Sequence, residues 1–461
     1  MTETTMLGMP TLRRAPRRTR DGRTYFIRTF GCQMNDHDSE RIGGLLEADG
    51  MSRVATPSEA DVVVLNTCTI RDNADQRLYG YLGAMKRLKG EREGMRILVG
   101  GCMAQKDRGT VLERAGWVDV VFGTHNTHRV VDLLDHAEEW GPVAEIWEET
   151  ASGDTAYSAL PTRRDVDHAA WVTITVGCNN SCTFCIVPQV RGREASRRPG
   201  DVISEVRELV ADGVLEVTLL GQNVNSYGRD LDLNGRKPVF ADLLRRVGAV
   251  DGLRRLRYTS PHPKDFREDV AHAMAGTAAV CEQLHLPLQS GSDPILAAMH
   301  RGYTSRRFLE KLAMARDVIP DLSVSTDVIV GFPGETEEDF DRTLDVVAEA
   351  RFDSAFMFQF SPRPGTAAAT MDGRVQTEVV QQRFDRLVAL QNEVTLERNL
   401  AMVGRRVEVL VEGPSKRDPN RVTSRTRGSK LVHIEGSYAP GTFLDAEITR
   451  GAPHHLVGVV A

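Results

Sequence analysis

The sequence predicts a mixed α/β protein in three parts: an N-terminal α/β domain with a parallel sheet, a central (βα)6-type partial barrel, and a small antiparallel β-barrel. Three observations carry this. Apolar strand-like runs alternate with helical stretches over about residues 24–140, the pattern of a parallel sheet with crossover helices. A second alternation, of about six units, begins near residue 164. From residue 404 the helical period stops, and short alternating strands with Gly/Pro turns replace it.

In chain order, "TYFIRTF", "DVVVLNT", "RILVGG" and "VDVVFG" are the strands of the first domain. "DSERIGGLLEADG" and "DNADQRLYGYLGAMKRLKG" are its first helices. Residues 141–163 lack periodicity and are expected to be a linker. The central domain, 164–402, takes its strands from "WVTITV", "LEVTLL", "LRRLRYTS", "CEQLHLPL", "LSVSTDVIV" and "DSAFMFQF". "DVISEVRELVAD" and "EEDFDRTLDVVAEA" are helices between them. Val380, Phe384, Leu387, Leu390 and Val394 form one apolar stripe, so a long helix is expected over about 376–402. In the last domain, 404–461, strands are expected at "RRVEVLVEG", "KLVHIEG", "TFLDAEITR" and "HHLVGVVA".

The 461 residues carry a net charge of −6. The charge is uneven: residues 1–28 hold +5 (seven Arg, one Glu, one Asp) and residues 404–461 hold +3 (nine Lys/Arg, six Asp/Glu), leaving −14 between. Basic ends on an acidic body permit an anionic partner such as RNA. No apolar run reaches the ~20 residues that span a bilayer, and the N-terminal arm has no apolar signal core. A cytoplasmic location is expected, and with it reduced cysteines that serve as metal ligands or catalytic groups.

There are seven cysteines. Cys32, Cys68 and Cys102 each follow one of the first three predicted strands. The carboxyl ends of parallel strands form the ligand crevice, so the three are expected at one edge, and the glycines of "FGC" and "GGC" let the backbone approach a bulky group. Cys178, Cys182 and Cys185 form C-x3-C-x2-C after the first strand of the central domain. Structural zinc takes four ligands, and no fourth Cys or His lies in this loop. A 4Fe–4S cluster takes one thiolate per iron. Three thiolates therefore leave one iron open. Cys281 has no partner nearby and is expected to pack in a core.

The C-x3-C-x2-C loop, with Phe184 before its third cysteine and a βα barrel behind it, resembles the radical S-adenosylmethionine enzymes. The resemblance implies that the open iron chelates the amino and carboxylate groups of S-adenosylmethionine, which one electron then cleaves. Three N-terminal cysteines, this core and a terminal β-barrel together are similar to the methylthiotransferases, whose last domain is an RNA-binding TRAM module. "TFGCQMNDHDSE", "CIVPQVRGREASR", "LLGQNVNSYG", "TSPHPKDF", "HLPLQSGS" and "FSPRPGT" resemble the MiaB-type tRNA methylthiotransferases. This likeness implies a second 4Fe–4S cluster on Cys32, Cys68 and Cys102, with an open iron where sulfur is attached. It further implies methylthiolation of C2 of an isopentenylated adenosine beside the anticodon. Two S-adenosylmethionine molecules are consumed, one as methyl donor and one as radical source. The partners implied are the tRNA anticodon stem-loop, an electron donor and a sulfur source.

By the same resemblance and their positions at strand ends, Phe184, Gln222, Asn223, Gln289, Ser290, Asp327 and Gly331 are candidates to contact S-adenosylmethionine. Turn chemistry and satisfied polar packing are the alternative roles. Arg191, Arg193, Arg197 and Arg198 are either solvated loop charges or phosphate contacts. Arg405, Arg406, Lys416, Arg417, Arg421, Arg425, Arg427 and Lys430 are positioned in sequence to track a nucleic-acid backbone. Other readings stay open: methylthiolation of a ribosomal-protein aspartate or of threonylcarbamoyl-adenosine, and an RNA-binding iron–sulfur carrier or scaffold without catalysis.

Overall fold

The structure, a computed structural model, describes residues 20–69, 74–148, 161–232, 235, 237 and 239–461, apart from the side chains of 74–76. Most of the basic N-terminal arm and residues 149–160 of the expected linker lie outside the described residues. The chain divides into two compact units. The first is residues 1–165 with 176–179 and 186–195; the second is 166–175, 180–185 and 196–461.

The first unit is a six-stranded sheet in the order β2-β1-β3-β4-β5-β6, parallel throughout. Its strands are β1 (Thr24–Thr29), β2 (Ser52–Arg53), β3 (Val62–Thr67), β4 (Arg96–Gly101), β5 (Val120–Phe122) and β6 (Val143–Glu145). The run "VVVLNT" is buried at every position, because both faces of a parallel sheet are covered. Val62 and Val64 face Ile42, Leu46, Leu133 and Leu134 of the helices Gln33–Ala48 and Val130–Trp140. Val63 and Leu65 face Leu78, Leu82 and Met85 of the helix Ala74–Glu91. Each such side chain contributes about 1.5–3 kcal/mol by leaving water. The expected linker is corrected at its start: β6 is three residues long, too short for periodicity to register, and it gains its place by pairing along β5.

In the second unit, β7 (Ala169–Thr173) comes first; the short strands β8 (Thr175–Val176) and β9 (Ala195–Ser196), each divided between the units, bracket the cysteine loop in sequence. Then come β10 (Glu216–Leu220), β11 (Arg255–Tyr258), β12 (Gln283–His285), β13 (Ser323–Val330) and β14 (Ser354–Gln359). They form two parallel three-stranded sheets, β11-β10-β7 and β12-β13-β14. A single parallel bridge, Leu256 to Val280, continues from the first toward the second. The helix Glu337–Ala350 opens on a reciprocal cap: Thr336 Oγ1 accepts from Asp339 N at 3.2 Å, and Asp339 Oδ2 accepts from Thr336 N at 3.0 Å. The long helix Thr377–Leu400 follows.

The last domain is a closed five-stranded barrel of β15 (Arg406–Pro414), β16 (Arg421–Thr426), β17 (Leu431–Glu435), β18 (Phe443–Ala452) and β19 (His455–Val460), in the order β15-β16-β17-β19-β18. It departs from the expected antiparallel barrel in one pair: β17 and β19 run parallel. A closed ring with an odd number of strands cannot alternate direction throughout. The fifth strand, β16, lies between the expected strands "RRVEVLVEG" and "KLVHIEG", where no strand was expected.

This barrel docks on the central domain through buried arginines. Arg255 pairs with Glu408 at 2.9 Å and donates to Arg425 O at 2.9 Å. Arg257 donates to Arg427 O at 2.7 Å and Thr426 O at 2.9 Å. Cys281 is buried, as expected.

Candidate functional site

In the first unit, β1, β3 and β4 are adjacent and parallel, so their carboxyl ends lie side by side. Cys32 caps the helix that follows β1, Cys68 directly follows β3, and Cys102 opens the helix that follows β4. Gly101 makes that last turn possible. Its φ is +92°, and a Cβ there would sit 2.3 Å from Asn66 Oδ1. Asn35 and Asn66 are fully buried and brace this edge: Asn35 Nδ2 donates to Thr67 O at 3.0 Å, and Asn66 Nδ2 donates to Asn35 O at 2.8 Å.

The thiols are electrostatically unequal. Hydrogen bonding with Cys68, helped by the Arg191 charge, overcomes burial and brings Cys32 down to about 6. Burial pushes the Cys102 thiol up, against the pull of Arg191. Arg191 is itself buried and paired with the buried Asp38 at 2.8 Å. A cation among thiolates favours an anionic sulfur centre. The donor set therefore fits a 4Fe–4S cluster: three cysteines, a fixed positive charge and a backbone without side chains at the approach. Among the described residues no three His, Cys, Asp or Glu are grouped to hold one metal ion. A cluster, with one thiolate on each of three irons, does not need such a group.

The second trio lies on one loop. In the first unit, Cys178 N donates to Gly192 O at 3.1 Å. The preceding Gly177 has φ +75°, and a Cβ there would lie 2.1 Å from Arg193 O. In the second unit, Cys185 N donates to Cys182 O at 3.0 Å. Thr183 fixes this turn by donating to Ala298 O at 2.9 Å and Met299 O at 3.2 Å. Arg301 is buried beside it, with Nη1 3.4 Å from Cys182 Sγ and Nε donating to Tyr303 Oη at 3.2 Å. Burial opposes its charge, yet Tyr303 and Cys182 hold the guanidinium above its ordinary value. Each unit thus carries cysteines accompanied by a buried arginine.

The candidate cofactor contacts are dispersed in role. Phe184 is half-buried against Ile295, Met299 and Phe332, and its carbonyl accepts from Arg363 at 3.4 Å. Gln222 is half-buried just after β10. Asn223 is buried, donates to Asp265 at 2.8 Å and accepts from His262 N at 3.3 Å. Gln289 has φ +68° and bridges Val328 through its backbone. Ser290 is buried against Thr343 Oγ1 at 3.3 Å. Asp327 is half-exposed with His285 Nε2 at 3.3 Å. Gly331, at φ +79°, donates to Glu335 Oε1 at 3.1 Å, and a Cβ there would meet Val380 at 2.5 Å. Asn223 and Ser290 thus have polar partners within the second unit, while Gln222 and Asp327 keep exposed surface.

Sequence reasoning did not single out Arg301, Tyr303 or His285. His285 stood inside the quoted run "HLPLQSGS"; its spacing from Asp327 gave no signal, since only strand pairing brings them together.

The cations sort differently from expectation. Arg191 is internal, and Arg197 is buried, donating to Thr173 O at 2.7 Å and pairing with Glu205 at 2.6 Å. Arg193 and Arg198 are exposed. In the barrel, Arg405, Arg421, Arg425, Arg427 and Lys430 pair with Asp321, Asp418, Glu412, Glu282 and Asp353. Arg406, Lys416, Arg417 and Arg450 are exposed and enter no ion pair among the described residues. Phe443 is covered by the Arg254 guanidinium, 4.3 Å from the ring centre.

Three family models match the chain: "Uncharacterized protein family UPF0004" over residues 24–123, "Radical SAM superfamily" over 172–347 and "TRAM domain" over 400–461. A tRNA-2-methylthio-N(6)-dimethylallyladenosine synthase of Frankia alni is 56% identical, covering 94% of this chain and 88% of the relative. One of Saccharopolyspora erythraea is 54% identical, with 94% and 89% covered. One of Mycobacterium bovis is 54% identical, with 97% and 88% covered. Among solved structures, the radical S-adenosylmethionine methyltransferase TsrM from Kitasatospora setae with tryptophan substrate and an S-adenosylmethionine analogue bound is similar in fold, with a TM-score of 0.51. It shares 15% identity, with 73% of each chain covered.

Proposed function

The chain belongs to the family of tRNA-2-methylthio-N(6)-dimethylallyladenosine synthases, and from that premise we propose how its residues divide the work. It is a radical S-adenosylmethionine enzyme that methylthiolates C2 of N6-dimethylallyladenosine in tRNA, with two 4Fe–4S clusters and S-adenosylmethionine as cofactors. One S-adenosylmethionine gives its methyl group to sulfur and leaves as S-adenosylhomocysteine. The other would be cleaved as the radical source. When bound, the clusters supply the electron for that cleavage and the site of sulfur transfer.

Cys178, Cys182 and Cys185 hold the cluster that binds S-adenosylmethionine, and Cys32, Cys68 and Cys102 hold the other. Residues 24–140, with β6 at Val143–Glu145, form the domain of Cys32, Cys68 and Cys102, 164–402 the radical core and 404–461 the RNA-binding barrel, with a connector from 146 to 163. Arg301 hydrogen-bonds the Cys182 sulfur, and Thr183 fixes the turn that carries it. Arg191, neutralised in part by Asp38, performs the matching task for Cys32 and Cys102. Phe184, Gln222, Gln289, Asp327 and Gly331 line the cofactor's approach, while Asn223 and Ser290 stiffen it. The anticodon stem-loop is bound through exposed cations, and the enzyme works in the cytoplasm with an electron donor and a sulfur source.

The observation that carries this reading is the pair of three-cysteine sets, each accompanied by a buried guanidinium. The test offers the purified, reconstituted protein isopentenylated tRNA, unmodified tRNA and a ribosomal-protein aspartate, and reads nucleosides and peptides by mass spectrometry. Only the isopentenylated tRNA is expected to gain a methylthio group efficiently. Robust modification of the protein substrate instead would overturn the reading.

A further inference from the structure

The face of β12, β13 and β14 that turns away from the helices has an unusual composition. Along β13, Val324, Val328 and Val330 are buried in the core, while Ser325, Asp327 and Ile329 are half-exposed on the other face. Register places Phe356 beside Asp327 and Phe358 beside Ile329. Phe356 is 58% exposed and Phe358 42% exposed. His285 completes the face. Its Nδ1 lies 2.9 Å from Ser325 Oγ, its Nε2 lies 3.3 Å from Asp327 Oδ2, and its ring centre is 6.0 Å from that of Phe356. Ile329 packs on the group that includes Phe184, between Cys182 and Cys185. Two neighbouring exposed phenylalanines, bordered by a fixed His–Asp pair and continuous with the cysteine loop, mark a surface that awaits an apolar occupant.

We propose that this face receives the dimethylallyl-adenine of the tRNA and that Phe356 and Phe358 read the dimethylallyl group. The inference rests on the family reading above, which supplies a flat base with a branched five-carbon chain on its exocyclic nitrogen. Phenylalanine side chains cannot hydrogen-bond a base edge, so they do not select adenine as such. They gain free energy by removing the apolar branch from water. Residues i and i+2 of a strand stand about 6.6 Å apart on one face, room for a base over one ring and its branch over the next. The His285–Asp327 pair offers the polar contact that a purine edge needs, and the Asp327–Ser325 brackets fix the imidazole orientation. An apolar contact of this kind separates substrates that differ by a hydrocarbon group by tenfold or more.

The test uses the full-length, cluster-reconstituted enzyme and two synthetic anticodon stem-loops, identical except for the dimethylallyl group. Affinity for each is measured by fluorescence anisotropy, together with S-adenosylmethionine cleavage in the absence of RNA. The parent is expected to bind the dimethylallylated loop at least about tenfold more tightly. Phe356→Ala and Phe358→Ala should erase most of that preference. RNA-free cofactor cleavage should stay as in the parent, the plain loop should lose less affinity than the dimethylallylated one because it loses only the stacking of its base, and Phe356→Leu, which keeps apolar bulk, should retain much of the preference. A preference unchanged in the double alanine variant would overturn the assignment. So would a raised KM for S-adenosylmethionine with the preference intact, which would give the face to the cofactor. A parent without any preference would instead sink the family-based substrate reading, a separate failure visible before any variant is made.

Discussion

Arg301 and Arg191 are single residues with a measurable electrostatic task. A guanidinium hydrogen-bonded to a thiolate stabilises the extra negative charge of a reduced cluster, so it raises the reduction potential. Arg301→Met keeps bulk and removes the charge. A potentiometric titration followed by electron paramagnetic resonance, in a Cys32/Cys68/Cys102 triple-Ala background that leaves one cluster, should show a lower midpoint. A tenfold change in the reduction equilibrium corresponds to ~59 mV for one electron. Arg301→Lys should fall between. An unchanged midpoint in Arg301→Met would remove the electrostatic role. In the same background, S-adenosylmethionine cleavage is expected to persist while sulfur transfer is lost, whereas Cys182→Ala should abolish cleavage and remove about one cluster's iron. Iron analysis and 5′-deoxyadenosine release check both. The cysteines were legible because clustering and topology point the same way. Arg191 was visible only as one of several loop arginines, since its partner Asp38 lies 153 residues away in sequence. Pairing at that distance leaves no local pattern.

At the scale of elements, the turn after β11 carries a buried histidine. His262 accepts from Lys264 N through Nδ1 at 3.2 Å, and burial, with the charges of Arg301, Lys264 and Lys311, brings its ring down to about 2. The folded state therefore keeps the ring neutral while the unfolded chain binds a proton below about 6.5. Stability from this group is present above that pH and falls as the solution is acidified. The slope approaches about 1.4 kcal/mol per pH unit. Urea denaturation of the cluster-free protein at pH 7, 6 and 5 should show this loss, and His262→Asn should flatten it; equal slopes would exclude the histidine. Strand elements with long apolar runs, such as β3, were readable because burial on both faces writes itself into composition. β16 was not, because "RVTSRT" turns Val422, Ser424 and Thr426 inward, only one of them apolar, and Arg421, Thr423 and Arg425 outward, and the two arginines gain their places from Asp418 and Glu412. β6 and the parallel closure of the barrel depend on pairing and on strand number, which no local window contains.

For the molecule as a whole, the uneven charge acquires a finer meaning. Most barrel cations named in the sequence are paired with acids of the same chain, and Arg255 and Arg257 depend on the barrel for their partners. Deleting 404–461 would strand two buried guanidinium groups, so loss of RNA binding in that deletion would not separate contact from damage. Alanine at Arg406, Lys416, Arg417 and Arg450 is the cleaner change. It should weaken tRNA binding at low salt and reduce the slope of log affinity against log salt by about 0.7 for each phosphate contact removed. Thermal stability should hardly move, as expected of exposed, unpaired side chains. A salt slope identical to the parent's would place the RNA elsewhere.

The closed barrel has one more consequence, for the motions of its last strand. β19 is paired on both sides, with β17 along one and β18 along the other, and Ala461 N still donates to Asp445 O at 2.9 Å. Terminal segments usually fray and exchange their amide hydrogens within moments. Here the amides of 456–459 that serve these ladders can reach solvent deuterium only when neighbouring strands separate too. Hydrogen–deuterium exchange should therefore find this stretch as slow as β16 in the middle of the domain, and the two should accelerate together in mild denaturant as one cooperative opening.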